Sequence, residues 1–321
     1  MKMKKLVPIL ALVLGLSAFS GCTDTDQKIM FGEYWQLDAL APETIHETLV
    51  YDVSFNANAK NSTDYTLNYK GTYTTTLSTV IENGVTSYVY ATMLTVTPTY
   101  DLKGVKSNLE PDVITSKVQF HGSKGALEPI RSEKYIKSAS PTTGSHVSVT
   151  QCYQEYTCSV VNDYTTNTSV VTNYDKDGKE LDSKTTNFTF EDADKYNVID
   201  NEQLFIALRA TPDTVTSGTL LCYSPFANLA QNVKFTFAAA DGAEFKYMDL
   251  DTAKEVKKTI NYRPVSITLD QKNPGATQTA WIASKLSSGM NTTRNVMLRL
   301  ETPIAYDLGT LIYTLSGVSY K

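Results

Sequence analysis

The fold is decided by three runs near the start of the chain: LVYDVSFNANA (residues 49–59), YTLNYKGTYTTTLSTVI (residues 65–81) and TSYVYATMLTVTPTY (residues 86–100). Apolar and polar residues alternate through much of each run, as in a strand with one buried face and one solvent face. Glu82-Asn83-Gly84 separates the second run from the third. Because Asn-Gly readily adopts the positive φ angles of a tight hairpin turn, these runs predict long antiparallel strands joined by short turns.

Runs of the same kind continue to the C-terminal end of the chain. A second turn, Asp175-Lys176-Asp177-Gly178, lies between strand-like segments at residues 165–174 and 181–190. The composition agrees with this pattern, since the chain contains 20 tyrosines together with many threonines and valines. The fold class predicted is mainly β, as one strongly curved antiparallel meander and not a compact sandwich of short strands.

One segment, DNEQLFIALRA at residues 200–210, has the pattern of a helix. Asp200 is a favourable N-cap residue, and Thr211-Pro212 would end the helix. Leu204, Phe205 and Leu208 fall on one face of this helix, where they form an apolar stripe. The stripe must pack on something, so we expect a single amphipathic helix that covers part of the sheet.

The first 22 residues, MKMKKLVPILALVLGLSAFSGC, have the form of a secretory signal. Lysines precede the apolar stretch Leu6–Leu16, which is too short to cross a bilayer comfortably. The end of this segment resembles the lipobox of bacterial lipoproteins, although Phe19 stands where leucine is usual. The resemblance implies that Cys22 is diacylated, becomes the new N-terminus and anchors the protein on the outer side of a bacterial membrane. An ordinary signal peptide with a chance cysteine is the alternative.

These features divide the chain into a signal peptide (residues 1–21), a lipidated tether with a short lead-in (residues 22–47) and a β domain (residues 48–321). The formal net charge is −5, and removal of the lysine-rich signal makes it more negative. An acidic domain argues against nucleic acid as a partner. It also argues against electrostatic docking on anionic lipid, so we expect attachment through the acyl chains alone.

Three cysteines remain after Cys22: Cys152, Cys158 and Cys222. On one continuous strand, Cys152 and Cys158 would be about 20 Å apart, whereas a disulfide needs Cα atoms within about 7 Å. A bridge between them therefore requires a turn or bulge in the intervening YQEYT. The sequence leaves two alternatives open, a Cys152–Cys158 disulfide or isolated buried thiols.

The chain offers no recognisable catalytic or metal-binding motif. Its three histidines, His46, His121 and His146, are far apart, and none has the spacing of zinc ligands. Nucleophile elbows and phosphate-binding loops are missing from the sequence, and no cofactor is predicted. Asp175-x-Asp177-Gly178 could begin a calcium loop, but it lacks the later ligands and is explained by a turn. An enzyme would need a cleft with converging carboxylates, and we predict a non-enzymatic protein.

The order of these signals resembles the half-barrel proteins of bacterial envelopes that are related to the lipoprotein carriers, including an uncharacterised periplasmic branch. The resemblance implies a curved sheet partly closed by the helix, with an apolar concavity that accepts a lipid or an acyl chain. Leu204, Phe205, Leu208 and Trp281 would line or border that concavity. The motifs that carry the resemblance are Ala126–Glu133, Asn173–Gly178, the Asp200-capped helix ending in Ala207-Leu208-Arg209, Ala280–Ala283, Leu298–Pro303 and Leu308–Leu315.

Two hypotheses from different classes follow. In the first, the domain binds an apolar, lipid-like ligand in the half-barrel. In the second, it is a surface interaction module that binds an envelope protein or a polysaccharide through an exposed sheet face. Tyrosines could form an aromatic platform for such a partner, or they could be cross-strand pairs of a half-buried sheet. The residues concerned are Tyr65, Tyr69, Tyr73, Tyr88 and Tyr90.

Overall fold

The computed structural model describes residues 28–32, 35, 45–57, 65–102, 105–108, 110–122, 125–138, 156–175, 177–226, 228–270, 277–284, 295–303 and 309–320. Cys22, the signal segment and Cys152 lie outside these residues, so their predicted roles stay predictions. Most described residues belong to strands, which confirms the mainly β prediction. No helix in this part of the chain is long and apolar enough to cross a membrane.

The described residues form 17 strands and one α-helix. The strands are β1 (Ile45–Ala57), β2 (Tyr65–Glu82), β3 (Val85–Leu102), β4 (Val105–Asn108), β5 (Asp112–His121), β6 (Glu128–Ser138), β7 (Tyr156–Asp163), β8 (Thr168–Tyr174), β9 (Glu180–Asn187), β10 (Asn197–Val198), β11 (Ser217–Ser224), β12 (Leu229–Phe237), β13 (Asp241–Asp249), β14 (Lys254–Asp270), β15 (Gln278–Ala283), β16 (Met297–Pro303) and β17 (Gly309–Ser319). A 3₁₀ turn (Asn201–Gln203) leads into the helix α1 (Leu204–Ala210).

The strands belong to one sheet in which most neighbours are antiparallel. Its main order is β9-β8-β7-β6-β5-β3-β2-β1-β17-β16-β15-β14-β12-β11-β10, with β4 added to β3. Consecutive strands pair through most of this order, as the meander prediction requires. Asn83 and Gly84 have φ angles of 52° and 78°, which confirms the predicted hairpin turn between β2 and β3.

Part of the sheet closes into a ring of five strands. β13 pairs with β14 along its length and also makes a short parallel bridge to β17, where Met248 lies opposite Gly317. β15 and β16 complete the ring between β14 and β17. The remaining strands extend from this ring as two arms, from β1 to β9 and from β12 to β10.

The two arms curve toward each other and meet through side chains. The Thr186 hydroxyl on β9 lies 3.1 Å from the Tyr223 hydroxyl on β11. The Phe188 ring stacks on the Tyr223 ring with 4.3 Å between centroids. A flat sheet with this many strands would be about 70 Å wide, so contact between its ends requires strong curvature. We call this contact between β9 and β11 the seam.

Both arms contribute inward side chains to a single hydrophobic core. On β1, Leu49, Tyr51 and Val53 face inward, as the alternation in the sequence predicts. Gly71 on β2 lies opposite Val53 and Val96, and a Cβ at Gly71 would overlap the carbonyl oxygen of Thr95. The absence of a side chain at Gly71 therefore permits a close approach of β2 and β3 at this point.

The helix α1 lies inside the curved sheet. The N-cap predicted at Asp200 is present and forms part of a capping box. The Asp200 carboxylate accepts a bond from the Glu202 N–H, and the Gln203 side-chain oxygen accepts one from the Asp200 N–H. Apart from the half-buried Phe205, every residue of α1 is buried. The helix is thus enclosed on nearly all sides, whereas the sequence predicted one buried stripe. The difference arises because apolar residues also occupy positions 206, 207 and 210.

Candidate functional site

The predicted ligand-contacting residues occupy the packed interior and its border. Leu208 is fully buried, and Leu204 is 6% exposed. Phe205 and Trp281 are half-buried and pack against the core. The Arg299 guanidinium lies 5.2 Å from the centre of the Trp281 ring. None of these four residues lines the two clefts described below, and their contact with a ligand stays a prediction.

Two buried arginines fix the helix within the sheet. Arg209 of α1 makes a bidentate pair with Glu47 of β1, with both N–O distances 2.7 Å. At the end of the helix, Arg263 of β14 donates to the Thr211 carbonyl oxygen. Its guanidinium also lies 3.9 Å from the centre of the Phe237 ring. These charges serve the placement of the helix.

A cleft of about 700 Å³ lies at the end of the sheet that carries the β5–β6 and β7–β8 turns. Four chain segments that are distant in sequence build it: the N-terminal segment, the loop before β6, the β7–β8 turn and the stretch between β9 and the helix. We call it the N-terminal cleft. Its lining residues are Lys28, Ile29, Met30, Gly125, Ala126, Leu127, Glu128, Pro129, Tyr164, Asn167, Thr189, Phe190, Ala193, Asn197 and Val198.

Backbone bonds hold the N-terminal wall of this cleft in place. The side chain of Asn197 accepts from the Ile29 N–H at 2.7 Å and donates to the Ile29 carbonyl at 3.2 Å. Phe31 donates its N–H to the Gly125 carbonyl oxygen, and Gly32 donates to the Ala210 carbonyl oxygen. The described part of the predicted lead-in is therefore an integral part of the domain.

A buried polar network stands behind Tyr164, which lines the cleft. The Asp200 carboxylate accepts bonds from the hydroxyls of Tyr164 and Ser132 at 2.7 Å and 2.5 Å. Asn162 donates its side-chain amide to Ser132. Burial, together with repulsion from Glu202, raises the pKa of Asp200 above its ordinary value. The hydroxyl of Tyr164 is committed to Asp200, so the network acts as a wall and presents no free acid or base to the cleft.

Lys134 and Glu202 form an ion pair of 2.6 Å next to this network. Burial opposes the ionisation of Glu202, but the Lys134 ammonium outweighs it and lowers the pKa of Glu202. A carboxyl group whose pKa is lower in the folded state than in the unfolded chain stabilises the fold at pH values above its pKa in the unfolded chain. That contribution to stability is lost as the pH falls through the lowered pKa of the folded state.

We therefore expect Glu202→Gln to flatten the loss of stability on acidification. The parent protein should lose stability progressively as the pH falls below about 4.5, the ordinary value for glutamate. The free energy of unfolding in urea at several pH values from 6 to below 4 measures this slope. Glu255→Gln, at an exposed pair with Lys246, provides the control and should retain the parent's slope. An unchanged slope in Glu202→Gln would contradict the assignment.

The described thiols are buried and free. Burial raises the pKa of Cys158 to about 11, and burial raises the pKa of Cys222 well above its ordinary value. Neither is therefore a reactive thiolate near neutral pH. Since Cys158 is free, the isolated-thiol alternative describes it, while Cys152 lies outside the described residues. Among the described residues no group of three histidine, cysteine, aspartate or glutamate side chains has the arrangement of a metal site.

The tyrosines singled out in the sequence mainly support the core. Tyr69 and Tyr90 are buried, and Tyr73 packs edge-on against Tyr313 with 5.5 Å between ring centroids. Tyr88 packs against Trp35 at 4.8 Å. For these four residues the structure favours the cross-strand interpretation over an exposed platform. The side chain of Tyr65 lies outside the described set.

A second, smaller cleft of about 470 Å³ shares Thr189 and Phe190 with the N-terminal cleft. It runs along the seam, where Tyr223 forms part of its lining. Sequence reasoning missed both clefts. A partial signal existed in the run Leu127-Glu128-Pro129, which belongs to one of the motifs that carried the half-barrel resemblance and which lines the N-terminal cleft.

No family model matches this sequence, and no curated protein matches it. Three solved chains are similar to it in structure. One solved structure to which the chain is similar is a β-barrel-like protein of the domain of unknown function DUF1849 from Brucella abortus. The two chains are 10% identical with a TM-score of 0.45, and the alignment covers 88% of this chain and all of the other.

Proposed function

We propose that this protein is a non-enzymatic, lipid-anchored protein of the bacterial cell envelope that binds an apolar, lipid-like ligand in the N-terminal cleft. The observation that carries the proposal is the cleft itself, with its volume of about 700 Å³. Pockets for small ligands commonly measure about 300–1,000 Å³ and are lined mainly by apolar groups around a few polar ones. The site proposed is thus at the end of the sheet, outside the packed interior under the helix.

The lining favours a molecule with an apolar body and a polar end. Phe190, Pro129 and Val198 are half-buried and offer apolar surface to a chain-like group. Lys28 and Glu128 are exposed at the same cleft and can interact with a polar or zwitterionic head. Because Tyr164 and Asn197 already have partners, the apolar lining supplies most of the expected binding free energy.

The test is native mass spectrometry of the full chain, purified from cells and released gently from detergent. We expect an adduct that organic extraction identifies as a lipid. A mass without an adduct, unchanged after incubation with an envelope lipid extract, would contradict the proposal. The mass of the N-terminal peptide reports separately whether Cys22 is acylated.

A cleft-filling variant places the ligand. Ala193 is half-buried in the cleft lining, and the larger side chain of Ala193→Trp would narrow the cleft. We expect the affinity for a pyrene-labelled fatty acid to fall at least about tenfold, which corresponds to about 1.4 kcal/mol. The exposed Ala239→Trp is the matched control and should bind as the parent does. Equal binding by both variants would show that the ligand does not bind in the N-terminal cleft.

A second candidate, the interaction module, has one observation in its favour. Met93 and Tyr135 are 48% and 41% exposed, and both lie opposite Thr115 on the outer face of the sheet. Exposed aromatic and methionine side chains are common at protein interfaces. Tyr135→Asp distinguishes the two candidates. It leaves lipid binding intact if the cleft is the functional site, and it abolishes partner binding if the outer face is.

A further inference from the structure

The N-terminal segment fixes the place where any anchor at Cys22 joins the domain. Ile29 is buried, and both its backbone groups bond to the side chain of Asn197. Phe31 and Trp35 are also buried in the core. The chain is therefore attached to the domain from Ile29 onward, and only the residues before it can act as a tether.

The length of that tether limits how the domain can turn. Cys22 and Lys28 are six positions apart, and even a fully extended segment of that length spans only about 20 Å. A compact domain of about 300 residues has a radius of gyration of about 19 Å and is about 50 Å across. The tether is too short to pass around the domain, so the end of the domain that carries Ile29 stays next to the membrane.

The same segment forms one wall of the N-terminal cleft. Ile29 and Met30 both line it, and Met30 is 70% exposed at its border. Leu181, by contrast, lies beyond the β8–β9 turn at the other end of the strands. β8 has seven residues, which span about 23 Å of strand. Met30 and Leu181 therefore mark the near and far ends of the domain relative to the anchor.

We infer that the mouth of the N-terminal cleft faces the membrane that holds the anchor, and that the cleft draws its ligand from the lipids of that bilayer. The inference rests on the proposed function, both on the anchor at Cys22 and on the cleft as the binding site. Charge is not needed to orient the domain, because the short tether and the fixed attachment at Ile29 restrict it geometrically. A bilayer lipid meets the description of the ligand, since it has an apolar body and a polar end.

The test compares a fluorescent label at the two ends of the full, acylated chain. Met30→Cys and Leu181→Cys are each made in a Cys152→Ser background and labelled with bimane, while the buried Cys158 and Cys222 stay unlabelled. Each protein is reconstituted into vesicles of phosphatidylethanolamine and phosphatidylglycerol that contain a nitroxide-labelled lipid. We expect the label at Met30 to be quenched several-fold more strongly than the label at Leu181.

Each outcome has one meaning. Stronger quenching at Met30 supports the inference, and equal or stronger quenching at Leu181 overturns it. Flotation of the vesicles is measured in parallel, because a protein that does not float has no working anchor. That result would refute the proposed attachment separately from the orientation. Pyrene-labelled phosphatidylglycerol in the same vesicles should pass to the parent chain and not to Ala193→Trp, and equal transfer to both would exclude the bilayer-facing cleft as the receiving site.

Discussion

Replacing Arg209 with methionine is expected to destabilise the domain by about 3–5 kcal/mol. Arg209 and Glu47 are each 2% exposed, and the guanidinium satisfies both carboxylate oxygens. Removal of the cation leaves the Glu47 carboxylate buried without its partner, which is far more costly than loss of the pair as a whole. Urea unfolding followed by the fluorescence of Trp35 and Trp281 measures the change.

The double variant tests the cause of that loss. Arg209→Met combined with Glu47→Leu removes both charges, and we expect it to recover about 3 kcal/mol relative to the single variant. Lys246→Gln provides a surface control, because its pair with Glu255 is more than half exposed and should contribute less than about 1 kcal/mol. A double variant no more stable than Arg209→Met would show that the methionine fails for steric reasons and not for want of a countercharge.

Replacing Leu208 with aspartate is expected to prevent the domain from folding. Leu208 is fully buried in α1, so a carboxylate there would lie in the core with no cation assigned to it. The cost of several kcal/mol is comparable with the whole stability of a typical domain, about 5–15 kcal/mol. Circular dichroism and resistance to a protease measure the loss.

Leu181→Asp is the matched control for Leu208→Asp. Leu181 is 59% exposed on β9, and its replacement should leave the protein folded with a change of less than about 0.5 kcal/mol. A folded Leu208→Asp protein would show that the helix does not fill the interior. A loss of ligand binding in Leu208→Asp would therefore not locate the binding site, because the charge would abolish binding by unfolding the domain. Ala193→Trp is the more selective probe.

Local sequence patterns predicted most strands, the hairpin turn at Asn83-Gly84 and the start of the helix at Asp200. Each of these depends on residues close together in the chain. Alternation identifies a half-buried strand, and a cap identifies a helix start, from a few adjacent positions. These signals were sufficient for a curved meander with one helix.

The location of the candidate site depended on contacts that no local pattern contains. Arg209 and Glu47 are 162 positions apart, and nothing in either neighbourhood marks them as partners. The stripe of Leu204, Phe205 and Leu208 correctly indicated that the helix packs against apolar surface. It could not show that the sheet curves far enough to bury every residue of the helix except Phe205.

The N-terminal cleft illustrates the same difficulty. Its walls come from the beginning of the chain, from the loop before β6, from a hairpin turn and from an irregular stretch before the helix. Irregular segments have no periodicity, and a cavity between them is defined only once the sheet has brought them to one end. Asn197 is an example, since its role in holding Ile29 follows from a contact across 168 positions.

The seam between β9 and β11 is held together differently from the rest of the sheet. Elsewhere neighbouring strands share ladders of backbone bonds, which resist separation together, whereas at the seam a hydroxyl contact and a pair of stacked rings join the two arms. Tyr223 takes part in both of these contacts, and its hydroxyl also donates to the side chain of Asn228. Both clefts border the segment at residues 187–192 that follows the seam. The wall of the proposed binding cleft thus lies next to the one described place where neighbouring strands of the two arms meet without a backbone ladder, so we expect this wall to adjust to a ligand more readily than the paired strands do.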